Sequence, residues 1–195
     1  SIGTAIEYHS GEVALSCCFA SFHDNPAQVF LVVSGAREFV VSPRSAAESF
    51  IDLFPIDLEN VKLGPRLHRT PIEVPASALL AFNGRLLAGV SNDLRMYECG
   101  RSRLLRKAQC KMASPVVSLR TQGLRIFAGT ARDSHTLIVY RPDSNGLVPI
   151  ADDPLPRGII SDCLLDYDTL AGCGRFGNFF IDRLSASVSE SLEQD

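Results

Sequence analysis

The chain repeats one short motif, Leu87-Ala88-Gly89, Phe127-Ala128-Gly129 and Leu170-Ala171-Gly172, and the glycines stand 40 and 43 residues apart. Each copy is followed by a polar turn and a second apolar run. A self-similar unit of about 40–45 residues with several strands per unit is the mark of a β-propeller blade. Repeat folds of this kind usually act as binding surfaces, so the period constrains function as well as fold.

The clearest unit spans 77–112. A short apolar run, Ser77 to Phe82, meets Asn83-Gly84, the strongest two-residue hairpin signal. Arg85 to Val90 is the next strand, Ser91-Asn92-Asp93 a turn, and Leu94 to Glu98 alternates apolar and polar as a half-buried strand does. Gly100-Arg101-Ser102 then turns the chain into an outer strand at Leu104-Leu105. The unit 113–153 reads alike, with strands at 116–119, 124–129, 136–140 and 147–151. A partial unit covers 154–184, with strands at 159–166, 169–172 and 178–184. A looser first unit covers 1–76, with strands at 13–22, 29–34 and 50–55, a surface loop at Ser42-Pro43-Arg44-Ser45-Ala46 and a connector after it. Residues 185–195, rich in Ser and Glu, are expected to be a disordered tail. The expectation is an all-β, WD40-like β-propeller of about four blades, each of four antiparallel strands. Four such blades leave the ring incomplete and its strand edges open, so a fragment of a longer propeller is expected.

A net charge of −3 gives no general attraction to nucleic acid or anionic membrane, and no apolar run approaches the ~18 residues of a membrane span. The opening Ser1-Ile2-Gly3-Thr4 lacks the zones of a secretory signal and an initiator Met, again as expected of a piece of a longer chain. The six cysteines form no C-x-x-C pair and the four histidines are scattered, which removes the usual zinc spacings. The cysteines sit mostly in apolar runs and are expected to be buried free thiols of a reducing compartment, nuclear or cytosolic.

Gly172-Cys173-Gly174-Arg175-Phe176-Gly177 matches a dinucleotide fingerprint, but Asn178 to Asp182 continues as strand, not helix, so a tight hairpin is expected and no cofactor. Asp133-Ser134-His135 reads as an inter-strand turn, since adjacent residues do not form a nucleophile, base and orienter. Asp152, Asp153, Asp162, Asp166 and Asp168 fit no calcium loop and read as turn residues. Arg101, Arg103, Arg106, Lys107 and Lys111 place five positive charges in eleven residues. Without interleaved aromatics they suggest a solvated outer strand or a surface for an acidic partner rather than base stacking.

Several stretches carry a family resemblance. Leu67 to Ala76, Phe82 to Lys107, Ala151 to Arg157 and Cys163 to Asn178 (CLLDYDTLAGCGRFGN) resemble the splicing factor 3b subunit 3 family over roughly residues 10–184. Related scaffolds are the large subunit of the cleavage and polyadenylation specificity factor and a DNA damage-binding subunit of a cullin ubiquitin ligase. The chain departs from the family at Gly158, where a Trp is usual, and at Gly174-Arg175, where Asp-Lys is usual.

The resemblance implies the middle of a third propeller in a non-catalytic scaffold of the U2 small nuclear ribonucleoprotein, which supports branch-site selection in the nucleus. The implied partners are a HEAT-repeat subunit and a small helical subunit of splicing factor 3b and other proteins of that particle, with RNA contacted indirectly and neither membrane nor small-molecule substrate. Arg101, Arg103, Arg106, Lys107, Asp152, Asp153 and Arg157 are the residues expected to face partners or neighbouring propellers. An adaptor of 3′-end processing or ubiquitin ligation is the alternative, and an enzyme the alternative of a different class.

Overall fold

The computed structural model describes residues 5–193; Ser1-Ile2-Gly3-Thr4 and the last two residues of the expected tail lie outside the described residues. Four antiparallel sheets follow one another along the described residues. Blade 1 runs β1 (Glu12–Phe22), β2 (Asn25–Arg37) and β3 (Glu48–Asp57), with β4 (Lys62–Leu63) and β5 (His68–Ile72) both paired to β3. Blade 2 is β6 (Ala78–Phe82), β7 (Arg85–Val90), β8 (Asp93–Cys99) and β9 (Leu104–Lys111). Blade 3 is β10 (Val116–Gln122), β11 (Arg125–Thr130), β12 (His135–Arg141) and β13 (Gly146–Asp152). Blade 4 is β14 (Ile159–Leu164), β15 (Thr169–Gly174) and β16 (Phe179–Arg183), and helix α1 (Ala186–Glu193) follows. The first strands touch in the order β1, β6, β10, β14, so they line the inner side of the arc. This is the incomplete propeller that the 40-residue period implies.

Local chemistry sets the blade hairpins. Asn83 and Gly84 take φ of +44° and +64°, the left-handed pair that a two-residue turn needs to match strand twist. The glycine-rich segment 172–177 is a hairpin: Gly172 and Gly174 lie in β15, and Gly177, at φ +82°, turns the chain into β16.

The second strands of blades 2 and 3 are buried on both faces, which is why they read as continuous apolar runs. Along β7, Leu86, Ala88 and Val90 join a core shared with Phe22, Val32, Ile51 and Leu53 of blade 1. Leu87 faces the other way, into a core with Val116, Leu119, Ile126 and Ile138 of blade 3. The recurrent glycine follows from this packing. A Cβ on Gly89 would lie 2.7 Å from Val116 Cβ on the neighbouring inner strand. One on Gly129 would lie 3.1 Å from Ile159 Cγ2 and 3.2 Å from Asp162 Oδ2 of blade 4. In its first two copies the Ala-Gly motif is therefore the slot into which the next blade's inner strand seats, whereas a Cβ on Gly172 would lie 2.7 Å from Phe180 of its own blade.

Three expectations change. His68–Ile72, read as connector, is a full strand of blade 1, because its backbone completes the free edge of β3. Residues 186–193, read as disordered tail, form α1, whose Val188 and Leu192 pack with Phe127, Leu137 and Leu170. The cysteines are free, but only Cys110 is buried; Cys17, Cys163 and Cys173 are exposed on the two end blades, where no next sheet covers them. Burial pushes the half-buried Cys18 thiol up to about 12, with the Cys17 charge adding to it.

Candidate functional site

The junction of blades 3 and 4 differs from the other two. Its apolar core has three buried members, Phe127, Leu137 and Leu170, and a polar clamp closes the rest. His135 opens β12 and is buried; its Nε2 lies 3.0 Å from Asp162 Oδ2 on β14, and its Nδ1 lies 3.2 Å from Asp182 Oδ2 on β16. A ring with a carboxylate at each nitrogen donates from both, which requires the imidazolium form. Burial opposes that charge, but the hydrogen bonds to Asp162 and Asp182 outweigh it and raise the His135 pKa.

Asp162 is the hub. Its carboxylate is fully buried and accepts from Ser118 Oγ at 2.5 Å, while Arg120 stands 3.1 Å from Oδ1 and donates to the Asp162 carbonyl at 2.8 Å. Burial works against the ionised form, yet the hydrogen bonds from His135 and Ser118 and the Arg120 charge hold its pKa below the usual range. Asp182 is also approached by Arg157, 3.6 Å away. The Arg157 guanidinium lies 4.0 Å over the Phe180 ring and bonds Asp153 at 2.8 Å. Asp162 and His135, read from sequence as turn residues, are thus buried strand residues. They are brought together from 27 positions apart.

A second polar cluster holds α1. Arg125 on β11 is buried, pairs with Asp168, donates to the Ser189 carbonyl at 3.3 Å and stacks 4.1 Å over Tyr167. Ser189 Oγ closes the triangle by donating to Asp168 Oδ1 at 2.7 Å. Between the clamp and this latch lies a cavity of about 360 Å³ with Phe127, Leu137 and Leu170 in its lining and Asp152, Asp153, Asp168 and Asp182 among its polar groups.

The residues expected to meet partners fall into separate groups. Arg101 and Arg103 are exposed on the β8–β9 turn, and Arg106 and Lys107 are exposed on β9. Lys107 is taken by Glu98 at 3.0 Å. Asp152 is exposed at the end of β13, whereas Asp153 and Arg157 are half-buried and bonded to each other within the clamp. The structure does not bring the basic group of blade 2 together with the Asp153–Arg157 pair. Sequence reasoning missed His135, Asp162, Ser118, Arg120 and Arg125 as a network. The available signal was an Asp and an Arg inside apolar strands, where a charge needs a partner.

Comparison with known proteins places the chain. The CPSF A subunit region family matches residues 1–195. Pre-mRNA-splicing factor rse1 of Emericella nidulans is 37% identical over 192 residues, covering 98% of this chain and 16% of that protein. Spliceosome-associated protein 130 A of Arabidopsis thaliana is 35% identical over 192 residues, covering 97% and 16%. Splicing factor 3B subunit 3 of Danio rerio is 34% identical over 191 residues, again covering 97% and 16%. The chain thus spans a small part of the length of the curated relatives it matches. The resemblance read from its strands and turns is borne out: this chain belongs to the CPSF A subunit region family.

Proposed function

We propose that the chain is a propeller segment of a non-catalytic scaffold in the splicing factor 3b complex of the U2 small nuclear ribonucleoprotein, supporting branch-site recognition through protein contacts. The observation that carries this reading is identity of 34–37% to named splicing factors across nearly the whole chain. The geometry of the polar groups supports it. Both nitrogens of His135 are occupied by carboxylates, which leaves no lone pair to act as a base. Ser118 donates to Asp162, not to an imidazole, so this hydroxyl is engaged in the blade junction. These groups bind blade to blade and keep the scaffold rigid, which is what presentation of loops to partners requires.

On this reading the HEAT-repeat and small helical subunits of the complex are the partners, RNA is contacted through them, and the protein acts in the nucleus. Affinity purification of the tagged chain from nuclear extract, with identification of bound proteins and RNA, tests it. Recovery of the HEAT-repeat splicing subunit is expected. Recovery of a cullin or a polyadenylation factor without that subunit would overturn it.

A further inference from the structure

Blade 2 carries a charge imbalance that the rest of the chain does not share. Residues 77–112 hold seven basic and two acidic residues, while the whole chain carries a net charge of −3. Three of the acids at this blade, Glu98, Asp93 and Glu73, are already engaged. Glu98 takes Arg85 at 2.8 Å and Lys107 at 3.0 Å. Asp93 takes Arg95 at 3.1 Å and Lys111 at 3.3 Å, and Glu73 takes Arg95 at 2.6 Å. Arg101 and Arg103 have no side-chain hydrogen bond or ion pair among the described residues, and Arg106 has only the longer-range attraction of Glu73. Three guanidinium groups within six residues are thus left without a bonded carboxylate among the described residues.

Their setting is rigid. Gly100 N–H donates to the Arg103 carbonyl at 3.0 Å, closing a tight turn with Arg101 at its tip. A Cβ on Gly100 would lie 2.5 Å from that carbonyl oxygen, so the turn is built around the glycine. A register shift follows: Tyr97 pairs with Arg106 and Met96 with Ala108, which leaves Lys107 as an extra residue in β9. Such a bulge re-aims side chains, and here Arg106 and Lys107 are both exposed although they are consecutive in a strand. β9 is also the outer strand of its sheet, so an extended segment can lie along its edge.

We propose that the β8–β9 turn and the start of β9 form a docking surface for a carboxylate-rich extended segment of a partner protein, held by Arg101, Arg103 and Arg106. Guanidinium forks match carboxylates in geometry as well as charge. RNA is the less suitable occupant, because residues 101–111 include no aromatic ring on which a base can stack. The surface is independent of which assembly the chain serves.

The test is fluorescence anisotropy of the 195-residue chain with a labelled oligoglutamate peptide and with a labelled oligouridylate of equal length, at low and moderate salt. The peptide is expected to bind more tightly than the RNA and to weaken as salt rises. Binding is expected to fall at least about tenfold in both R101E/R103E/R106E and the neutral set R101Q/R103Q/R106Q, each checked for unchanged melting. Lys111→Gln, which removes an already paired charge, is expected to change it less than about twofold. Tighter RNA binding, no peptide binding, or equal peptide binding by the arginine variants overturns the proposal. None of these results alters the splicing reading, which co-purification tests separately.

Discussion

Arg175 lies across Gly158: its backbone N–H donates to the Gly158 carbonyl at 2.9 Å, and its Cδ would stand 2.9 Å from a Cβ at position 158. The two residues thus form one contact between the start of β14 and the turn after β15. Gly158 holds φ at +59°, a conformation that L side chains rarely adopt, with the Ala131 carbonyl on its other side. There is no room beneath Arg175 for a larger side chain at position 158. Gly158→Ala is expected to cost roughly 1–3 kcal/mol in denaturant unfolding. Adding Arg175→Ala recovers only part of it, because the positive φ and the Ala131 carbonyl remain.

The Ala-Gly slot makes a second prediction. Gly89→Ala drives a methyl group into Val116, which is backed by fully packed core, and is expected to destabilise by about 1–3 kcal/mol. Val116→Ala in the same chain opens the space the methyl needs. A double-mutant cycle should then show a coupling of at least about 0.5 kcal/mol, and strict additivity would mean the blades do not meet at this point.

The clamp between blades 3 and 4 makes stability depend on pH in two directions. His135 has its pKa raised by folding, so its contribution is complete below its unfolded value of about 6.5 and is lost as pH rises through the higher folded value. Asp162 has its pKa lowered, so its contribution is complete above about 3.9 and is lost as pH falls through the lower folded value. Unfolding free energy should therefore be flat in this contribution between those limits and decline outside them. His135→Leu leaves Asp162 and Asp182 without their shared cation and is expected to cost about 3–5 kcal/mol near pH 6. It should also abolish the alkaline decline, which urea melts across pH will show.

Helix α1 is too short to be stable alone and depends on its docking. Val188→Asp places a charge against Phe127, Leu137 and Leu170, and should release residues 186–193 to fast amide exchange while leaving β6–β9 protected. Slow exchange of the helix in this variant would mean that the Arg125–Asp168–Ser189 triangle is sufficient by itself.

What could be read before the structure was local. Asn83-Gly84, Ser91-Asn92-Asp93 and Gly100-Arg101-Ser102 specify turns through the backbone of a few residues, so blade 2 is legible almost strand by strand. The Ala-Gly period was visible, but its reason lies on the next blade, in Val116 and Ile159. His135 and Asp162 could not be paired from sequence because they meet only after two sheets have packed. α1 was missed for a related reason: its weak pattern of Val188 and Leu192 acquires meaning only beside the small core of that junction. The exposed cysteines differ from the expectation because alternation in the end blades turns them to a side that no other sheet of the described residues covers.

The scaffold role in splicing proposed above is open to a direct test. Antibody depletion of the protein from nuclear extract, followed by in vitro splicing of a labelled pre-mRNA, addresses it most directly. Loss of branch-site complex assembly is expected, restored when the purified complex is added back. Normal splicing after complete depletion, or loss of 3′-end processing in its place, would contradict it.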